Sequence, residues 1–234
     1  MKTVEFFSEA AYNWETHYAS DPRFRRRFLR ITHLLDRILP RTPGRALDMG
    51  CGTGVFSREL ASRGWRVTAV DSSENMIEQA RSIPHVGEIE FSTSTIEAYQ
   101  AAPSSYEVIV AFSMLEYVED DEAAIAKLVA MLAPHGILIV SVPNRVGLLR
   151  RLEGLVFGIR EISRDRVFSN RGEYLKHQKR QYSPFELDLM MRQTGLRKKR
   201  AIFLNGGITS PAWLLPLAER RLVAAMYCAC YEKV

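Results

Sequence analysis

The chain has 234 residues, is 47% hydrophobic and 25% charged, and carries a formal net charge of +5. This balance is typical of a soluble globular protein and excludes disordered, collagen-like and low-complexity classes. The longest apolar run, LVAAMYCACY, is too short to span a membrane, and the first residues lack the apolar segment of a secretion signal. Because three cysteines do not favour a disulfide scaffold, we expect a cytoplasmic protein.

An apolar pattern spaced by three to four residues predicts a helix that ends before Pro40. Its members are Phe24, Phe28, Ile31, Leu35 and Ile38. With the aromatic segment YNWETHY before it, this helix predicts an N-terminal helical region over residues 1–43, here called the N-terminal helical cap. The basic stretch RFRRRFLR lies in the same region, and such runs are typical of solvated helix faces. An acidic substrate, a membrane surface and RNA are the alternative explanations for it.

The pattern changes between residues 44 and 144, where short apolar runs alternate with helical segments. The runs are RALDM, RVTAVD, EIEFST, YEVIVAF and GILIVSV, and the helical segments include SSENMIEQARS and DEAAIAKLVAML. Strands that alternate with helices indicate βαβ units, which form a parallel sheet covered on both faces. This segment is therefore predicted to be the ligand-binding core.

The alternation is interrupted over residues 145–183, which we interpret as an insertion after the fifth strand. Its segment NRVGLLRRLEGLVFGIR has an apolar stripe with arginines beside it, which predicts a helical lid over an apolar substrate. Ordinary packing against the core, or peripheral contact with a membrane, are the alternatives.

Residues 184–234 are predicted to complete the sheet. Ser183 and Pro184 begin the helical segment SPFELDLMMRQTG, and two strands, KKRAIFLN and VAAMYCACYEKV, follow. The whole chain is therefore predicted to be one α/β domain. Its Rossmann-like, mostly parallel sheet would have seven strands and helices on both faces.

The loop DMGCGTG joins the first predicted strand to the following helix. Gly50, Gly52 and Gly54 permit backbone torsions and close approaches that a β-carbon would block. Asp71 ends the next strand about 20 residues further on, where a carboxylate can accept hydrogen bonds from ribose hydroxyls. These features predict an adenosine-like ligand. A dinucleotide is disfavoured because the third glycine comes one residue early and Val55 takes its usual place.

Four segments together resemble the class I S-adenosylmethionine-dependent methyltransferases of the small-molecule type. LDMGCGTG resembles motif I, VTAVDSSENMIEQA motif II, YEVIVAFSMLEYVED the fourth-strand motif and LAPHGILIVSVPN the fifth, over residues 46–144. The resemblance implies S-adenosyl-L-methionine as cofactor. The residues that it implies for the cofactor site are Asp48, Gly50, Cys51, Gly52, Gly54, Asp71, Ser72, Met76, Thr95, Ile96, Phe112 and Ser113.

Two positions depart from the family pattern. Thr95 stands beside Ile96 where the family often has an aspartate to meet the adenine amine, and LEY, with Tyr117, replaces the frequent LEH. The second departure removes a common candidate for the general base. His177, Tyr117 and Tyr182 are the predicted catalytic candidates.

Aromatic residues of the predicted cap, Tyr12, Trp14 and Tyr18, resemble the family's N-terminal closure over the cofactor. They either present ring faces to the sulfonium or pack the cap onto the sheet edge. No metal is expected, because Cys228 and Cys230 have no histidine or cysteine near them at a zinc-type spacing.

The predicted function is that of an enzyme that transfers a methyl group to an oxygen of a hydrophobic or acidic small molecule. A quinone, a lipid-like compound or a secondary metabolite are the classes considered. An RNA methyltransferase and a cofactor-binding protein without turnover are the alternatives. A nucleic-acid partner is not expected, because the chain lacks an RNA-binding module. The sequence does not predict the oligomeric state.

Overall fold

The computed structural model describes residues 2–148, 151, 176–204 and 220–234. The helices of these residues are α1 Lys2–Ser20, α2 Pro22–Ile38, α3 Val55–Ser62, α4 Glu74–Ser82, α5 Asp121–Met131 and α6 Pro184–Gln193. The strands are β1 Arg45–Met49, β2 Arg66–Asp71, β3 Ile89–Thr93, β4 Tyr106–Phe112, β5 Leu132–Pro143, β6 Leu196–Leu204 and β7 Met226–Lys233. A single 3-10 turn, Leu115–Tyr117, follows β4.

The described strands form one seven-stranded sheet in the order β3-β2-β1-β4-β5-β7-β6. Strands β1 to β5 are parallel, and β7 runs antiparallel to both β5 and β6. Pro143 at the end of β5 therefore pairs with Met226 at the start of β7. One edge of the sheet thus carries the carboxyl ends of the parallel strands together with the amino end of β7.

Strand β4 shows how both faces of the sheet are buried. Val108 and Val110 pack on the α2 and α3 side, whereas Ile109 and Ala111 pack on the α5 and α6 side. All four are completely buried, as expected for a central parallel strand covered by helices on both faces. The predicted Rossmann-like α/β sheet is confirmed.

The ends of several elements agree with the sequence-based predictions. Ser183 caps α6 through a capping box with Glu186, and Pro184 occupies the first helical turn. Strand β5 is longer than predicted, because it begins at Leu132 rather than at Gly136. In the described part of the chain, no helix is long and apolar enough to cross a membrane.

Residues 152–175, most of the predicted lid, lie outside the described residues. The insertion leaves the sheet after Asn144 and returns at Tyr182, and these two residues form a parallel bridge. The division into cap, core, insertion and C-terminal part stays a prediction.

Candidate cofactor and acceptor cleft

A cavity of about 1510 Å³ lies along the sheet edge that carries the carboxyl ends of the parallel strands. It extends from Thr95 and Ile96, which follow β3, to Ala225 and Met226 at the start of β7. Typical small-molecule pockets have about 300–1,000 Å³. The cavity is therefore large enough for two molecules side by side.

The glycine loop forms the floor of the cavity where β1 ends. Gly50, Gly52 and Gly54 all have positive φ angles, of 77°, 55° and 77°. A Cβ on Gly50 would lie only 2.8 Å from Met114 Cβ, so this position needs glycine for its space as well as its torsion. The loop is tied to the neighbouring strand because the N–H groups of Gly50 and Cys51 donate to the Val70 carbonyl.

Asp71 connects the end of β2 to the glycine loop. Its Oδ2 accepts from the Gly52 N–H at 2.8 Å, and its Oδ1 accepts from the Ser73 N–H at 2.9 Å. Burial raises the pKa of the Asp71 carboxyl, and the backbone hydrogen bonds from Ser73 and Gly52 oppose that rise. Because it also lines the cavity, the carboxylate is positioned to meet a hydrogen-bond donor of a ligand.

Asp48 is a second carboxyl on the cavity wall and is 2% exposed. Burial raises its pKa from 3.8 to about 7, and a hydrogen bond from Ser57 Oγ at 2.6 Å opposes the rise. A cationic ligand next to Asp48 would favour its ionised form. The cavity end beside the glycine loop therefore suits a positively charged group.

Eleven of the twelve predicted cofactor residues line the cavity: Asp48, Gly50, Cys51, Gly52, Asp71, Ser72, Met76, Thr95, Ile96, Phe112 and Ser113. The exception is Gly54, which caps α3 in the left-handed conformation and lies against the Phe91 ring. Gly54 therefore shapes the loop without forming the wall. Ser73 caps α4, which leaves Ser72 to face the cavity. Thr95 Oγ1 accepts from the Ala98 N–H at 3.2 Å, so it also caps a turn.

Helix α1 closes the cavity from above. The Thr53 hydroxyl donates to Glu15 Oε2 at 2.8 Å, and the Arg58 guanidinium binds the same carboxylate at 2.6 Å. A Cβ on Gly52 would lie 3.7 Å from Trp14 Nε1, which places the indole directly over the loop. The helical cap predicted from the sequence is thus fastened to the residues that it covers.

The three predicted catalytic residues occupy different places. Tyr117 lines the cavity and packs edge-to-face on Phe7, with ring centroids 5.1 Å apart. His177 stacks on Phe6 at 4.7 Å, and Phe6 rather than the imidazole forms the wall.

Tyr182 does not border the cavity in this structure. It is completely buried, and its hydroxyl donates to Asp121 Oδ2 at 2.6 Å. Burial and the Asp121 hydrogen bond raise the pKa of this phenol, so the hydroxyl keeps its proton. Its position beside Asn144 makes Tyr182 a core residue, and a catalytic role for it stays a prediction.

Leu148 was expected on the apolar stripe of the lid, but it is 51% exposed and lies outside the cavity wall. The Leu148 N–H donates to the Leu222 carbonyl, and this bond joins the start of the insertion to the segment before β7. The remaining lid positions, including Leu152 and Leu155, lie outside the described residues. Gln178 and Lys179, further along the insertion, do line the cavity.

Arg27 is a cavity residue that the sequence-based prediction missed. Its Nη2 donates to Ser113 Oγ at 2.9 Å and to Ser141 Oγ at 3.1 Å. The basic stretch RFRRRFLR around Arg27 is typical of a solvated helix face, so the sequence did not single out Arg27 as a cavity residue. Arg27 nevertheless follows Phe24 by three residues and precedes Ile31 by four, so it belongs to the apolar stripe of α2. A charged residue on such a stripe is the signal that identifies it.

A sequence profile of the family described as "Methyltransferase domain" matches residues 23–199. The ubiquinone biosynthesis O-methyltransferase of Rickettsia felis is 29% identical over 154 residues, which span 62% of this chain and 62% of that relative. The enzyme of the same name from Rickettsia canadensis is 27% identical over 227 residues, or 92% of this chain and 90% of the relative.

Among solved structures, the magnesium protoporphyrin IX methyltransferase of Synechocystis with bound S-adenosylhomocysteine is similar. Its TM-score is 0.67 at 17% identity, with 100% of both chains covered, and at that identity the likeness shows the fold alone. The family profile covers more than half of the chain, including the glycine loop and Asp71. The chain therefore belongs to the methyltransferase-domain family, and its fold is that of the solved methyltransferase.

Proposed function

We propose that the protein transfers a methyl group to an oxygen of a hydrophobic or acidic small molecule, with the ring hydroxyl of a quinol as the leading class. The observation that carries the proposal is the extent of the cavity. It continues from the cofactor residues at the ends of β1 and β2 to the end of β4 and the start of β7. The names of the two rickettsial relatives, both ubiquinone biosynthesis O-methyltransferases, support a quinol acceptor.

The residues at the glycine loop fit S-adenosylmethionine. Asp71 would hold the ribose hydroxyls, the bends at Gly50 and Gly52 would admit the methionyl part, and Met76 and Ile96 would flank the adenine. The buried Asp48 carboxyl would lie near the cationic part of the cofactor. When bound, this cofactor supplies a methyl group on a positively charged sulfur.

The remaining residues would align the acceptor and exclude water. Phe6, Phe7 and Trp14 of α1 and Phe112 after β4 give the cavity an aromatic lining. Alignment and desolvation contribute most to such a displacement, because the leaving thioether is neutral and a phenol ionises readily. Tyr117 is the predicted catalytic residue that reaches the wall, where it would accept or relay the proton of the acceptor hydroxyl. His177 would act through Phe6 as a positioning residue.

The test is an acceptor panel analysed by mass spectrometry. The purified protein is incubated with S-adenosylmethionine and, separately, with catechols, hydroquinones, aromatic amines and transfer RNA. We expect formation of S-adenosylhomocysteine together with a singly methylated catechol or hydroquinone. Methylation of RNA alone, or of amines in preference to phenols, would contradict the proposed acceptor class.

A further inference from the structure

Arg27 differs from the other cationic side chains of the described cavity wall in its partners. Arg23 is paired with Asp21, and Lys179 is paired with Glu119. The Arg27 guanidinium instead contacts the hydroxyls of Ser113 and Ser141. Over the described ranges, no carboxylate forms an ion pair with it.

The guanidinium of Arg27 is only partly satisfied by these contacts. Its Nε is buried and has no hydrogen-bond acceptor among the described residues. A guanidinium has five N–H donors in a planar fork, and the two recorded bonds both come from Nη2. Even partial burial of such a charge without an opposite charge is costly. An anion in the cavity would offset that cost.

Ser113 adds a hydrogen-bond donor beside Arg27. The Ser113 hydroxyl accepts from Arg27, so its own hydrogen remains available to a ligand, and the residue lines the cavity. Its φ of 52° is unusual for a residue other than glycine. The conformation is held by the Ser113 N–H, which donates to the Ser141 carbonyl at 2.9 Å. Such backbone strain tends to occur at functional sites.

Ser113 is also among the residues that the family resemblance implies for the cofactor, but the group it forms with Arg27 and Ser141 lies apart from the glycine loop and Asp71. Ser113 follows β4 and Ser141 lies on β5, whereas the glycine loop and Asp71 follow β1 and β2. In the sheet order, β4 and β5 lie beyond β1 on the side away from β2. An anion bound to Arg27 would therefore occupy the acceptor end of the cavity.

Aromatic rings surround this end of the cavity. Phe56 and Phe112 pack with ring centroids 4.5 Å apart, and Tyr18 contacts the Phe56 ring edge-to-face at 6.4 Å. All three residues line the cavity. A molecule with its anionic group at Arg27 would therefore place an apolar or aromatic body against these rings.

We propose that Arg27, assisted by the Ser113 hydroxyl, binds a carboxylate carried by the methyl acceptor, so that the acceptor is an aromatic acid. This inference rests on the proposed function and selects, from its two acceptor classes, the acidic molecule rather than a neutral quinol. A carboxylate fits better than a phosphate, because one guanidinium supplies a single positive charge while Asp48 adds negative charge to the same cavity. The planar fork of arginine also matches the planar carboxylate.

The experiment compares 3,4-dihydroxybenzoate with its neutral analogue 3,4-dihydroxybenzamide. Calorimetry on the protein saturated with S-adenosylhomocysteine gives the affinity for each, and methyl transfer from S-adenosylmethionine gives kcat/KM for each. The variants are Arg27→Gln, Arg27→Lys and the control Arg25→Gln, which removes the same charge from an exposed position of α2. Affinity for S-adenosylhomocysteine verifies that each variant is folded and binds cofactor.

The wild type is expected to bind the benzoate about ten- to a hundredfold more tightly than the benzamide, as for a charge-assisted hydrogen bond. Arg27→Gln should remove this preference, Arg27→Lys should retain part of it, and Arg25→Gln should retain all of it. A preference that survives in Arg27→Gln, or a wild type that binds the two compounds equally or neither of them, would overturn the inference. Tight binding of the benzoate that depends on Arg27, without methylation of either compound, would contradict the proposed function and support only the carboxylate site at Arg27.

Discussion

Asp71 has two roles at the residue scale, since its carboxylate holds the Gly52 N–H and also faces the cavity. Asp71→Ala should weaken binding of S-adenosylhomocysteine by about 1–3 kcal/mol, the range for a lost hydrogen bond to a charged group. Calorimetry measures this loss. Asp36→Ala is the control, because it removes a carboxylate whose side chain is 54% exposed in a surface ion pair. Equal affinities of Asp71→Ala and wild type would contradict the ribose assignment.

Asp48 predicts a pH dependence of stability. Its pKa in the folded protein is about 7, against an ordinary value of 3.8, so the folded state holds a proton that the unfolded state releases. The stabilisation from this group is complete below pH 3.8 and is lost as pH rises through about 7. Without ligand, the free energy of unfolding should therefore fall between pH 5 and pH 8 more steeply in wild type than in Asp48→Asn.

Urea unfolding at the two pH values measures this difference. Asn resembles the protonated carboxyl and can still accept the Ser57 hydrogen bond, so the variant isolates the titration of Asp48. Asp36→Asn should follow the wild-type dependence, since its carboxyl is largely exposed. Parallel curves for wild type and Asp48→Asn would show that Asp48 does not titrate in this range.

Single residues could be predicted from the sequence where their role follows from a local pattern. The glycines and Asp71 belong to a motif of fixed spacing, and the structure brings them together at the cavity. Arg27 acquires its partners from β4 and β5, more than 80 residues away in the chain. Tyr182 lies close in sequence to cavity residues, but it forms a backbone bridge with Asn144 and its side chain is buried in the core. Spacing along the chain does not encode such long-range contacts.

At the scale of elements, helix α1 covers the cavity, but few of its side chains are buried. Among its described side chains, Ala11 alone is buried, and its anchors include the Glu15 contact with Thr53 and the Ser8 contact with Ser73. An element with few buried contacts opens readily. Adding S-adenosylhomocysteine should therefore slow amide hydrogen exchange across α1, because the ligand would lie beneath it. Exchange in α6, which does not line the cavity, should stay the same.

Hydrogen-exchange mass spectrometry resolves these two helices. Protection confined to the glycine loop, with α1 unchanged, would show that the N-terminal helix does not close over the cofactor. Equal protection of α1 and α6 would indicate a general stabilisation instead.

Helix α6 offers a stability test that is separate from function. Its amino end is closed by the capping box between Ser183 and Glu186. Ser183→Ala should lower the free energy of unfolding by about 1 kcal/mol, as for other lost caps. Urea denaturation measures this value. The affinity for S-adenosylhomocysteine should be unchanged, and a large loss of affinity would mean that α6 supports the cavity directly.

Helices and strands were predictable where the periodicity is local. The alternation of apolar runs and amphipathic segments identified the five parallel strands, and the Ser-Pro pair identified the start of α6. The start of β5 was less predictable because Pro134, His135 and Gly136 have the composition of a turn. In the structure His135 has a φ of 60°, and the β4–β5 register shifts between Tyr106 and Val108. Pairing with β4 therefore extends the strand past a local irregularity.

At the scale of the whole molecule, the sheet order determines where chemistry takes place. Strands β1 and β2 bring the glycine loop and Asp71 to one end of the cavity, and the end of β4 and the start of β7 form the other end. Parallel strands place ligands at their carboxyl ends, so the cofactor and an acceptor would meet above β1 and β4. The fold thus accounts for a cavity large enough for two substrates, whereas in the proposed function the identity of the acceptor would depend on side chains such as Arg27.

The central claim is that this cavity transfers a methyl group to an oxygen, and isotope-labelled transfer tests it most directly. The protein is mixed with S-adenosylmethionine carrying a carbon-13 methyl group and with 3,4-dihydroxybenzoate or a hydroquinone, and the labelled methyl is followed by NMR. The methyl signal should move from the position of a sulfonium methyl to that of an aryl methyl ether. A label that stays on sulfur with every phenolic acceptor, or that appears on nitrogen or carbon when such acceptors are offered, would contradict the account.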